Sequence, residues 1–282
     1  MNIHLLSVVG GRVSTLGPML DHYLALGVDS VLLFAHAKSK DDPILSEIAA
    51  TAKSRGIAID DTIVGDWDKV QFRIINGIAA APRDQWYLIA DQDEFQHYPT
   101  PLKEVIAECE LRGFDYVRGC FVDRFSAEGL LSPINPSRAL SAQFPMGSFF
   151  TRPILGGSPM KVVAARGGTG FTNFGHHHAS NGFACPPELH FVQVHHYKWT
   201  DGLLPYLAER SNALSGPSAV TGEDRRFERY LRHNGDRIDF LDPGILAAPC
   251  EPTYPHWDTV RTLCLMREHW QRINGYLRDT ET

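Results

Sequence analysis

The first 95 residues repeat one pattern: a short apolar run, then a segment whose apolar residues recur at helical spacing. Ile3 to Val9 reads as a buried strand and ends in Gly10-Gly11. Thr15 to Leu26 has helical periodicity, with Gly27 placed to cap it. Ser30 to Phe34 is a second strand, and Asp41-Asp42-Pro43 opens a helix that Gly56 stops. Ile57 to Val64 is a third strand, Lys69 to Ala81 another helix, and Trp86 to Ala90 a fourth strand, with Asp91-Gln92-Asp93-Glu94 at its carboxyl end. This rhythm predicts right-handed crossovers and an α/β fold with a Rossmann-type, mostly parallel sheet flanked by helices. Ligands of such sheets bind outside the carboxyl ends of the strands. Gly10-Gly11-Arg12, Lys38 to Asp42 and Asp91 to Glu94 all fall there.

The second half is less regular. Asp115 to Asp123, Lys161 to Ala165 and His190 to Val194 read as strands, with a loop-rich stretch over 125–160. Helices are expected at about 201–213, 222–233 and 257–276; the last offers Leu263, Leu265, Trp270 and Ile273 for packing. With no linker or repeat in view, 1–282 reads as one domain. The net charge of −6 excludes a general nucleic-acid binder, which needs a basic footprint. No apolar run approaches the roughly 20 residues of a membrane span. No signal peptide is evident at the N-terminus, and five scattered cysteines without a C-x-x-C pair read as reduced thiols. The expectation is a cytoplasmic protein, at most peripheral at an inner membrane.

Asp91 and Asp93 are the sharpest signal. On an extended segment, residues i and i+2 point to one side, and two carboxylates so placed tolerate each other with a cation between them. Carboxylates plus phosphate oxygens form the ligand set of Mg²⁺ or Mn²⁺. Glu94 reads equally as a supporting partner of that pair or a helix-start carboxylate. The histidines form two clusters: His176-His177-His178 after a glycine-rich turn, and His195-His196 at a strand end. One imidazole from these completes a metal site begun by the aspartates, and Lys198 neutralises a diphosphate. A zinc site built from these histidines and His190, six in all, lacks the ordered helical spacing of zinc hydrolases. No G-x-S-x-G elbow, G-x-x-x-x-G-K-[ST] loop or G-x-G-x-x-G turn occurs in the right context, which excludes the common serine-hydrolase, phosphate-loop and nicotinamide designs.

Trp86 to Phe95 resembles the W-x-x-x-x-D-x-D-E-F signature of family 2-like and family 92-like glycosyltransferases. Met19 to Asp29 is similar to their "H-x-x-x-G-V" segment, Ser39-Lys40-Asp41-Asp42 to their S-x-D turn, and Gln71 and Asn76 fall on their polar helix. Lys161-Val162-Val163, Gly175-His176 and His195 to Trp199 resemble the later "K-V", "G-H" and "H-[YF]-K-W" blocks, so the resemblance covers about 1–210. It implies a GT-A fold, a Mn²⁺ or Mg²⁺ cofactor and a UDP- or GDP-linked sugar donor. In that scheme 1–125 bind the donor, 126–210 serve the acceptor and metal, and 211–282 form a helical segment.

Carried over, Asp91 meets the donor and the metal, Asp93 and His196 bind the metal with His195 as the substitute, Lys198 contacts the diphosphate and Asp41 lies near the base. The family's Asn-Glu pair after the first strand is missing; Gly11-Arg12-Val13-Ser14-Thr15 stands there, with Arg12 as a replacement donor contact. For an inverting transfer to a hydroxyl of a glycan or other acceptor, Asp123 is the first candidate general base and Glu94 the second. Arg124 binds an anionic acceptor or forms a surface ion pair with Asp123. The alternatives are a nucleotidyltransferase, echoed by Gly10-Gly11-Arg12, and a non-catalytic nucleotide-sugar-binding protein of the same fold.

Overall fold

A computed structural model describes residues 1–172, 176–213, 219–250 and 253–266. In chain order the first half runs β1 (Asn2–Val9), α1 (Leu16–Leu26), β2 (Ser30–Ala37), α2 (Ile44–Lys53), β3 (Asp61–Val64), α3 (Trp67–Asn76), β4 (Gln85–Ile89), β5 (Glu94–His97) and α4 (Leu102–Arg112). The second half follows as β6 (Tyr116–Phe125), α5 (Leu140–Gln143), β7 (Met146–Ser148), α6 (Thr151–Leu155), β8 (Met160–Arg166), β9 (Phe191–His196), α7 (Leu203–Ala213), α8 (Ala219–His233) and β10 (Ala248–Pro249). A last helix covers 257–266. The fold is mixed α/β, as the strand–helix rhythm predicts. β4, β1, β2 and β3 lie side by side and parallel, and β8, β6, β7 and β10 extend the sheet in antiparallel steps.

The apolar runs have a physical reason: both faces of the central strands are covered. Ile3, Leu5 and Val9 of β1 and Trp86 and Leu88 of β4 pack with α1, α2 and α4. Leu6, Tyr87 and Ile89 alternate to the other face and meet Ile75 of α3. Gly27 ends α1 at φ +90°, a conformation glycine adopts without steric cost. Asp66 caps α3, its carboxylate accepting from the N–H groups of Asp68 and Lys69.

Some boundaries move. β3 keeps only the last four residues of its expected run, because the Asp60 carboxylate turns back to accept from the Leu33 N–H at 2.7 Å. The stretch 125–160 contains α5, β7 and α6 rather than loops alone. In the last helix Val260 and Cys264 are buried and Leu263 is 45% exposed; Trp270 and Ile273 lie outside the described residues. All five cysteines are free thiols. No helix among the described residues is long and apolar enough to cross a membrane.

β9 positions the site. It pairs antiparallel with β5, setting His196 opposite Glu94, and parallel with β6, setting His196 opposite Asp123. The end of β9 is clamped by an aromatic core in which Trp199 stacks on Phe125 and packs against Phe150 and Phe227.

Candidate active site at the carboxyl edge of the sheet

Because β1, β2 and β4 are parallel, the turns after them share one edge. Gly10 allows the close approach this needs: a Cβ there would lie 2.5 Å from the His36 carbonyl oxygen of β2. Gly11 takes φ +67° under the Tyr206 ring of α7. Gln92 then staples this turn to the acidic one. Its amide donates to the carbonyls of Gly10 and Arg12 at 2.7 Å each, and its oxygen accepts from the Gly10 N–H at 3.0 Å. Sequence reasoning passed over Gln92, although its place inside D-x-D was the available signal. Gln92→Leu keeps the bulk and strands these three partners. The expected cost is about 1–3 kcal/mol in a denaturant melt; an unchanged midpoint would show that the staple is idle.

The acidic segment differs from the expected extended strand. It is a turn, closed by the Glu94 N–H donating to the Asp91 carbonyl at 3.0 Å. The two aspartates meet different partners. Asp91 turns inward: Oδ1 accepts from Gln71 Nε2 at 2.6 Å and Oδ2 from Lys161 Nζ at 3.1 Å. Asp93 turns toward His196, with Oδ2 at 3.8 Å from Nε2.

His196 is held by Asp123. Nδ1 lies 3.0 Å from Asp123 Oδ1, and the ring stacks on Phe121 at 4.3 Å between centroids. Asp123 is wholly buried and saturated. It accepts from Trp199 Nε1 at 2.9 Å, Thr151 Oγ1 at 2.9 Å, and the N–H groups of Thr151 and Phe150 at 2.7 and 3.2 Å. A carboxylate so enclosed has no open side for an acceptor; it takes the Nδ1 side of the His196 ring and leaves Nε2 facing Asp93. Glu94 is equally unavailable, being 2% exposed and ion-paired to Lys161 at 2.6 Å. The two candidate bases are thus both enclosed, Asp123 behind His196 and Glu94 against Lys161.

The remaining candidates separate. His195 alternates to the opposite face of β9, where Nδ1 meets the Arg124 guanidinium at 2.9 Å and the ring lies tilted by 33° against that of His97. It is no substitute for His196. Arg124 is buried and donates to the Phe144 carbonyl, so it is neither an acceptor site nor half of a surface ion pair. His190 pairs with Glu108 on α4, His177 Nδ1 bonds to the Met160 carbonyl, and His178 is exposed, so the six histidines do not converge on a zinc ion. Asp41 is exposed in the turn after β2. Arg12 reaches the Lys198 carbonyl and Thr200 Oγ1; burial lowers its pKa against the opposing field of Asp93. Lys198 Nζ lies 5.5 Å from the Trp199 ring centre. A groove of about 640 Å³ between the end of α1 and residues 97–103 contains no acidic group and lies outside this chemistry.

The buried imidazoles give the fold its acid sensitivity. Burial, reinforced by Lys161, holds His176 well below the usual histidine value of 6.5 and brings His177 down to about 4; burial with His97 and Arg124 holds His195 well below 6.5. A base depressed in the folded state contributes stability that is complete above 6.5 and lost as pH falls toward the folded value. Glu94 runs the other way: burial, partly offset by Lys161, raises it from 4.5 to about 7, so its contribution falls as pH rises through that window. His97, beside His195, is likewise brought down to about 4 by burial, so the lowered imidazoles outnumber the one raised carboxyl and the unfolded chain binds more protons than the folded one between pH 6.5 and 4.5. The melting temperature should fall across that interval, and His177→Asn should flatten the slope. A flat profile would contradict these assignments.

No family model and no curated protein matches the chain. Among solved structures it is similar to glucosyl-3-phosphoglycerate synthase from Mycobacterium tuberculosis in complex with Mg²⁺ and UDP, at 17% identity and TM-score 0.30, covering 43% of each chain. It is also similar to S. aureus TarS 1–349, at 9% identity and TM-score 0.39, covering 83% of this chain and 74% of that one. The mannosyltransferase PcManGT from Pyrobaculum calidifontis, in complex with GDP-Man and Mn²⁺, matches at 12% identity and TM-score 0.39, covering 82% of this chain and 69% of that one. These neighbours are glycosyltransferases; likenesses this distant leave the function of the present chain to the chemistry of its own site.

Proposed function

We propose that this chain is a metal-dependent glycosyltransferase that moves a sugar from a nucleoside-diphosphate donor to a hydroxyl acceptor. The observation that carries the reading is the line Asp123–His196–Asp93. A saturated, buried carboxylate holds one imidazole nitrogen, and the other faces a second carboxylate 3.8 Å away. A divalent ion would bridge that Nε2 and the Asp93 carboxylate, and a carboxylate behind the histidine is the usual support of a metal-binding imidazole. The donor set fits Mn²⁺ or Mg²⁺ completed by phosphate oxygens. Asp93 and His196 would hold the ion, which supplies charge neutralisation to a departing nucleoside diphosphate.

The other residues act around that pair. Arg12, tethered to the segment 198–200, and Lys198 add positive charge at the same edge, where negative charge builds on the leaving diphosphate. Gln92 keeps the two turns in register, so the donor's phosphates meet a preformed surface. Asp91 keeps 28% of its side chain exposed and is held rigidly by Gln71 and Lys161, which suits a donor contact better than a metal ligand. In this reading 1–282 is one domain, with 1–125 serving the donor.

The test is thermal stability of the purified chain against UDP, GDP and their sugars, with and without Mn²⁺, followed by an assay for donor consumption. A donor at about 100 times its Kd should add about 2.7 kcal/mol, only with the metal. Binding without turnover on any acceptor would favour a nucleotide-sugar-binding protein. Release of pyrophosphate from a nucleoside triphosphate and a sugar phosphate would favour a nucleotidyltransferase.

A further inference from the structure

Among the described residues, Asp91, Glu94 and His176 place three metal-ligand atoms within 4.8 Å of one another. By its donor set this is a divalent-cation pocket: two carboxylate oxygens and one imidazole nitrogen. Its centre is already taken. Lys161 Nζ lies 2.6 Å from Glu94 Oε1, 3.1 Å from Asp91 Oδ2 and 3.1 Å from His176 Nε2. His176 Nδ1 lies 2.9 Å from the Val162 carbonyl, which takes its N–H and leaves Nε2 to accept from the lysine. Three ammonium protons thus meet three acceptors.

We propose that Lys161 is the permanent cation of this inner pocket, excluding a divalent ion from it and confining metal to the outer Asp93–His196 position. Two further observations support the assignment. His176 has φ +44°, a left-handed conformation rare for a residue with a Cβ, and such backbone is retained where the surroundings demand one side-chain placement. The Phe121 ring touches both positions: Lys161 Nζ is 5.4 Å from its centre, and His196 stacks on it. The two cation positions are therefore neighbours, and Lys161 decides that only one is open. It is a positioning residue: it neutralises Asp91 and Glu94 so that Asp93 is the carboxylate left for metal. The inner pocket's part of the inference stands on its own geometry; only the outer ion rests on the proposed function.

The experiment counts bound Mn²⁺ by electron paramagnetic resonance of the full chain. Wild type should bind one ion, lost in Asp93→Ala. Lys161→Met should bind one ion more than wild type, and the extra ion should vanish in Lys161→Met/Glu94→Gln and persist in Lys161→Met/Asp93→Ala. If Lys161→Met does not fold in chelator, Mn²⁺ should restore its cooperative thermal transition, because the ion replaces the lost ammonium. A folded Lys161→Met with the wild-type ion count, or an unfolded one that Mn²⁺ does not rescue, would overturn the proposal. Absence of any ion in wild type would instead sink the outer site, while the extra ion in Lys161→Met would still report on the inner one.

Discussion

Asp123→Ala is expected to cost more than about 4 kcal/mol, at the extreme of single substitutions, since it strands several buried donors at about 1–3 kcal/mol each. The donors are the Trp199 indole, the Thr151 hydroxyl, two backbone N–H groups and His196 Nδ1. They come from α6, its preceding residue, the end of β9 and the segment after it, so the loss is not local. Asp123→Asn is the more informative change. Its amide has one acceptor oxygen where the carboxylate has two, and its NH₂ would face donors. If the NH₂ meets His196, Nδ1 must accept and the ring proton moves to Nε2, which then points a hydrogen at Asp93. That variant should fold with reduced stability and lose Mn²⁺ binding, although residue 123 never touches the ion. Urea melts and Mn²⁺ titration check the two halves separately. Full Mn²⁺ affinity in a folded Asp123→Asn would break the link between the buried carboxylate and the metal.

Asp93→Ala is the second large effect, and it falls on function rather than stability. The Asp93 side chain is 27% exposed, and the structural bond of this residue is made by its backbone carbonyl, which accepts from the Tyr197 N–H at 2.8 Å. Alanine keeps that bond. Removing even a supporting partner of a metal ligand costs about 10–100-fold in affinity. Loss of a direct carboxylate ligand should therefore weaken Mn²⁺ by at least about 100-fold, and metal-dependent donor binding with it. The melting temperature in chelator should be unchanged. A large drop in that temperature would mark Asp93 as structural.

The sequence made the sheet's first half legible because burial on both faces writes itself as uninterrupted apolar runs, and glycines 27 and 56 punctuate them. That the turns after β1, β2 and β4 share one edge was readable for the same reason. What periodicity could not supply is pairing between distant segments. Glu94, Asp123 and His196 are separated by 29 to 102 positions in the chain, yet share one register row across β5, β9 and β6. That row turns Asp123 from a candidate base into an anchor. The partners of Asp91, Gln71 and Lys161, were not readable because a turn at 91–93 replaces the extended segment on which two-residue alternation rests. Lys161 was visible as the head of the apolar run Val162 to Ala165 and as part of the "K-V" block, and neither told its partners. A charge at the start of a buried strand asks for partners, and two of them lay in the acidic segment already singled out. His195 and His196 were separable by alternation alone once β9 was known to run to its last histidine.

The central claim is that Asp93 and His196 jointly take a divalent ion that serves a nucleoside diphosphate. Its most direct test is Mn²⁺ titration of the wild-type chain, His196→Ala and Asp93→Ala, each with and without UDP and GDP. The account predicts one tight ion in wild type, strengthened by one of the two nucleotides, and loss of that ion in both variants while their folds persist. Equal Mn²⁺ binding in all three chains, or nucleotide binding indifferent to the metal, would contradict it.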